Sequence, residues 1–118
     1  MGHIGDDSII RSFRSSVPEI ITNDTPVAGK QATMSLVIAN DADPTQQFVE
    51  LVEVQDSDGV TVFLAWQGDT LNPNSQTQIG ISWIPERLGD YAARTFAISN
   101  FDNPQVLSQV SESNFTIE

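Results

Sequence analysis

From Val17 onward, apolar and polar residues alternate in short runs set apart by turn residues about every ten positions, a spacing that predicts strands. The alternation is clearest in residues 31–40, where Ala32, Met34, Leu36 and Ile38 take one side and Thr33 and Ser35 the other. Residues 17–22 predict a short edge strand, because Pro18 cannot donate to a ladder. Residues 40–47 are rich in turn formers, and residues 48–55 are apolar on both faces near their middle, as in a central strand. Asp56-Ser57-Asp58-Gly59 is a hairpin signal, with Gly59 free to take positive φ. Val60, Val62, Leu64 and Trp66 then share one face, and the polar residues 67–75, with Gly68 and Pro73, predict a connection. Strands follow at residues 77–83, 91–98 and 110–117, with a Pro-containing loop at 100–105. About seven antiparallel strands without an amphipathic helix predict an all-β sandwich of two sheets.

Residues 1–16 are Ser-rich and polar, with Ile9, Ile10 and Phe13 as their sizeable apolar groups. They predict a flexible N-terminal arm or linker, with Met1-Gly2-His3 reading as a cloning scar. The alternative is an extra strand that pairs with its own sheet or with a neighbour's edge. Residues 17–118 are then one domain, long enough to bury a core without metals or disulfides.

Charge and residue inventory remove several functions. The net charge of −11 repels phosphate backbones and anionic lipid, so nucleic acid is not expected as a partner. No apolar run reaches spanning length, so membrane insertion is not expected either. With no cysteine there is no disulfide, thiolate ligand or cysteine nucleophile. His3, the one histidine, lies in the predicted arm, which leaves the domain without a Ser-His-Asp site or the usual zinc ligands. The expectation is a non-enzyme without a resident cofactor, calcium aside.

Two motifs carry a resemblance. Leu88-Gly89-Asp90-Tyr91 stands where immunoglobulin-like folds place their tyrosine corner, and Ala93 stands where antibody domains have their second framework cysteine. Leu71-Asn72-Pro73, Trp83-Ile84-Pro85 and Gly89-Asp90-Tyr91 together form an L-x-P…W-x-P…G-x-Y arrangement. With residues 48–61, FVELVEVQDSDGVT, it resembles CARDB-like and related immunoglobulin-like domains of archaeal and bacterial cell-surface proteins. The resemblance covers residues 17–118 and implies an immunoglobulin-like (CARDB or fibronectin III-like) sandwich. It implies a structural or spacer module of a secreted or cell-surface protein, with neighbouring domains or another protein as partners. Immunoglobulin-like intracellular protease inhibitors share a similar pattern, though no reactive loop is recognisable here.

The remaining candidates are loop and surface residues. In a standard sandwich Asp41, Asp43, Asp69 and Asp102 approach one end, which makes them candidate calcium ligands because hard cations take carboxylate and carbonyl oxygens. Asp56, Asp58, Glu86 and Asp90 gather at the other end, and Asp also caps turns without any metal. Asn23-Asp24-Thr25 and Asn114-Phe115-Thr116 are glycosylation sequons. Trp66, Trp83 and Tyr91 are expected between the sheets, and Arg94 outside against Glu50 or Glu53. An exposed Trp66 or Phe101 would instead provide a stacking surface for peptide or sugar. That outcome would favour a module that binds protein, peptide or carbohydrate through the loops around Asp41, Asp69 and Asp102.

Overall fold

The computed structural model describes residues 13–21 and 25–118. Their eight strands are β1 (Phe13–Ser15), β2 (Glu19–Ile21), β3 (Ala32–Asn40), β4 (Gln46–Asp56), β5 (Thr61–Leu71), β6 (Ser75–Trp83), β7 (Gly89–Ile98) and β8 (Ser111–Ile117). All pairings are antiparallel, and the described residues contain no helix. β1 and β2 both pair with one side of β3, and β6 with its other side. The second sheet runs β5-β4-β7-β8.

β1 and β2 are one edge strand broken at Ser16-Val17-Pro18. Pro18 has no N–H to give, and Ser16 bridges the gap by donating its N–H to the Val37 carbonyl and accepting the Val37 N–H on its Oγ. The predicted boundary at residue 17 is therefore corrected, since Phe13–Ser15 form part of the sandwich and Phe13 is only 2% exposed. Of the expected arm, residues 1–12 lie outside the described residues, as does the sequon at Asn23.

The core lies between the sheets. Met34, Leu36 and Ile38 of β3 meet Phe48, Val52 and Val54 of β4, with Ile79 and Ile81 of β6 alongside. Each such side chain, taken out of water, contributes about 1.5–3 kcal/mol before conformational entropy is set against it. Trp83 and Tyr91 close one end, their rings edge to face at 5.2 Å. The Tyr91 hydroxyl donates to the Arg87 carbonyl at 2.7 Å, the bond expected of the tyrosine corner. Ala93 is fully buried beside it.

The opposite end is organised by Asn40, which is buried. Its Nδ2 donates to the carbonyls of Pro44 and Leu71, and its Oδ1 accepts the Ala42 N–H. One amide thereby fixes both the β3–β4 loop and the end of β5.

The predicted connection at residues 67–75 is overturned. β5 continues to Leu71, whose side chain is buried, and the turn shrinks to residues 72–74, with Asn74 at a φ of 54°. A polar run is compatible with an edge strand, because solvent covers most of it while one apolar anchor pulls its end onto the core.

Candidate interaction surface

The side chains that point away from the core differ sharply between the two sheets. On the β5-β4-β7-β8 sheet, strand register places Trp66, Leu51 and Phe96 in one cross-strand row over β5, β4 and β7. The next row holds Leu64, Glu53, Arg94 and Glu112. Leu51, Leu64, Phe96 and Val110 line a shallow depression of about 240 Å³, with Glu53 and Arg94 at its side. Trp66 is 58% exposed and Leu64 53%. Phe101, from the β7–β8 loop, stands edge-on to the Trp66 ring at 5.7 Å, with 54% of its own surface in solvent.

Trp66 is thus not in the inter-sheet core as expected. Alternation sends Phe63 and Ala65 inward and Val62, Leu64 and Trp66 outward. Arg94 does face outward, with Nη1 3.9 Å from Glu53 and Nε 3.4 Å from Glu112. Exposed pairs of this kind contribute little to stability.

Glu50 is not the partner expected for Arg94. It points into the sandwich and is fully buried. Ser15 Oγ donates to its Oε1 at 2.9 Å, and its Oε2 contacts Thr95 Oγ1. Thr95 Oγ1 also lies 2.8 Å from the Leu51 carbonyl. A hydroxyl has one hydrogen, so both Thr95 contacts are satisfied together only when Glu50 carries a proton facing Thr95. Burial acts in the same direction and raises the Glu50 pKa above the usual carboxylate range, with the hydroxyls of Thr95 and Ser15 opposing it. The result is a polar seam between the sheets. It continues through Ser111, whose Oγ donates to the Ser15 carbonyl, and Ser113, which donates to that of Pro18.

The four candidate calcium ligands occupy three elements. Asp41 follows β3 and pairs with Arg14 at 2.7 Å, and Asp43 lies in the same β3–β4 loop. Asp69 is within β5, its Oδ1 accepting the Thr70 N–H, and Asp102 is in the loop after β7, next to Phe101. Among the described residues no three His, Asp or Glu side chains gather as a metal-ligand group. At the other end Asp56 caps its hairpin, accepting the N–H groups of Asp58 and Val60, both at 2.9 Å. Asn114 is exposed on β8.

No protein-family profile and no curated protein sequence matches the chain. Solved structures do. A β-glucuronidase from Bacteroides uniformis superposes with a TM-score of 0.74 at 15% identity, over 92% of this chain and 15% of that one. The CARDB domain of a Pyrococcus furiosus protein, solved in complex with di-metal ions, matches with a TM-score of 0.63 at 14% identity, over 90% of each chain. An alkylpurine DNA glycosylase from Pseudomonas fluorescens gives a TM-score of 0.64 at 11% identity, over 92% of this chain and 31% of that one. At such identities the likeness is one of fold alone, an all-β sandwich of two sheets broadly consistent with an immunoglobulin-like or CARDB-type fold. The chain spans a small fraction of the length of the glucuronidase and the glycosylase.

Proposed function

We propose that this sandwich is a non-catalytic module of a larger secreted or cell-surface protein, and that it works by contact through the outer face of its β5-β4-β7-β8 sheet. The carrying observation is the outward-facing row of exposed Trp66 and half-buried Leu51 and Phe96, with Phe101 against Trp66. Isolated exposed apolar residues are ordinary, but a contiguous aromatic and aliphatic group signals a partner surface. The reading is supported by a fold that recurs as a part of much longer chains, and by the likeness to a CARDB domain. The ion pairs of Arg94 with Glu53 and Glu112 border the apolar row as the polar rim of an interface does.

A second reading has its own support. The Trp66–Phe101 pair stands beside Asp102 in the β7–β8 loop, which suits recognition of a peptide or carbohydrate by stacking. Calcium at Asp41, Asp43, Asp69 and Asp102 rests on loop composition alone.

Two measurements test the leading reading. The open reading frame around this segment should contain an export signal and flanking domains. A frame that encodes this domain alone, without a signal, overturns the modular role. In the longer protein, Trp66 emission should shift to the blue and resist acrylamide quenching relative to the isolated module. Equal quenching in both forms would remove the contact.

A further inference from the structure

Among the described residues four strand edges border the two sheets, and three of them offer little to a partner strand. The β1–β2 edge is short and broken at Pro18, β8 carries Glu112, and β6 points Gln76, Gln78 and Ser82 outward. β5 differs. It is 11 residues long, pairs among the described residues with β4 alone, and contains no Pro, Lys or Arg. Alternate residues of an antiparallel edge strand turn their N–H and C=O groups away from the sheet, so an unguarded edge templates another strand. The far end of β5 is closed, since Asp69 takes the Thr70 N–H and Asn40 the Leu71 carbonyl. What remains open is residues 61–68, with Val62, Leu64 and Trp66 exposed along it.

Charge selects the occupant. The chain carries −11 overall, yet between Asp58 and Glu86 its only charged residue is Asp69. Two copies repel one another at most approaches and least along this flank. The segment is also self-complementary. An antiparallel pair centred on Leu64 sets Leu64 against Leu64, Val62 against Trp66 and Phe63 against Ala65, combining β-branched and aromatic side chains across the junction.

We infer that residues 61–68 pair with the same segment of a second copy of this chain, joining two four-stranded sheets into one. The interface is isologous and closes on itself, so it yields a dimer rather than a filament. The two Trp66–Phe101 groups then lie on one continuous outer face. The inference deepens the contact reading of the module and names one partner for it.

Sedimentation equilibrium of the domain over a wide concentration range tests the pairing. The expected result is a mass that rises from 12.9 kDa towards twice that value. Added salt should strengthen association by screening two acidic chains. Leu64→Lys, which puts two ammonium groups on the axis, should weaken association at least tenfold, while Gln78→Lys on the neighbouring β6 edge should leave it unchanged. Circular dichroism verifies that both variants fold. A wild type that stays at 12.9 kDa up to millimolar concentration overturns the pairing, as does equal association of the wild type and Leu64→Lys. A monomer that still protects Trp66 within the longer protein would mean that a different chain occupies the face, leaving the contact reading intact.

Discussion

The two sheets share one core and turn unlike faces to solvent. Outside the sheet of β1, β2, β3 and β6, Thr33, Ser35, Gln78 and Ser82 satisfy one another: Gln78 donates to Ser35, and the hydroxyls of Thr33 and Ser82 stand 3.1 Å apart. Ile21, at the edge, is the exposed large apolar residue of that sheet's strands. Outside the β5-β4-β7-β8 sheet, aromatic and aliphatic rows dominate. The polar groups of the first face are already partnered, so it offers a neighbour little beyond what water offers. Apolar groups have no such partners, and covering them releases free energy in proportion to the area covered. The contrast teaches that the fold needs only the inner faces, which leaves the outer ones to differ with use.

The two tryptophans give the sharpest test of that contrast. Trp83→Ala should cost about 3–5 kcal/mol in urea denaturation, because it empties a site among Tyr91, Phe63 and Phe115. Trp66→Ala should cost less than about 1 kcal/mol. Equal costs would mean that Trp66 supports the fold, and the apolar face would lose its meaning as a contact surface.

Glu50 comes next in size, since it lies on the core side of the strand that presents Leu51 and Glu53 outward. Glu50→Gln keeps every hydrogen bond of the seam, with Nε2 donating to Thr95, and removes a carboxylate that is costly to bury charged. It should stabilise the domain at neutral pH by about 1–3 kcal/mol. The sign with pH follows from the raised pKa of the folded state. The contribution of Glu50 is full below the unfolded value, about pH 4.3, and fades as pH rises through the higher folded value. Melting temperatures of both proteins, followed upward from about pH 4, should diverge in favour of Glu50→Gln. Parallel curves would show that folding leaves the Glu50 pKa where it is in the unfolded chain.

Smaller effects are expected on the polar face. Gln78→Ala and Thr33→Ala should change stability by no more than about 0.5 kcal/mol each, measured by thermal unfolding. A larger loss would mean that this side-chain network carries weight in the fold. Smallest of all is the expected response to calcium. In amide NMR spectra, titration should give weak shifts spread over the acidic residues. Saturable shifts confined to Asp41, Asp43, Asp69 and Asp102 would establish a metal site and move the functional centre to the end loops.

The elements that were legible in sequence are those fixed by local pattern. Ala32, Met34, Leu36 and Ile38 are all buried as their alternation predicted, and the Gly59 hairpin and the Tyr91 corner form as read. The outer face was not legible, because β5 is apolar on both sides. Period two separates Phe63 and Ala65 from Val62, Leu64 and Trp66, yet it does not say which set turns inward. The larger set turns outward. Glu50 was obscure for a different reason: its partners Ser15 and Thr95 lie 35 and 45 residues away, and only the β4–β7 pairing brings Thr95 to it and the stacking of the sheets Ser15. The carboxylate of Asp69 was readable as a turn former, and it instead closes the end of an edge strand.

The path of the chain through the sandwich has a mechanical consequence. Phe13 pairs with Asn40 at one end of β3, whereas Glu118 bonds Pro26 and Ala28 near Ala32, at the other end. A pull applied through Phe13 and Glu118 would load β1 and β8 from opposite ends of β3. β1 has three ladder positions against β3, so resistance there depends on the Ser15–Glu50 and Ser111–Ser15 links that tie it to the other sheet. Under tension, these two links would decide how soon the domain lengthens.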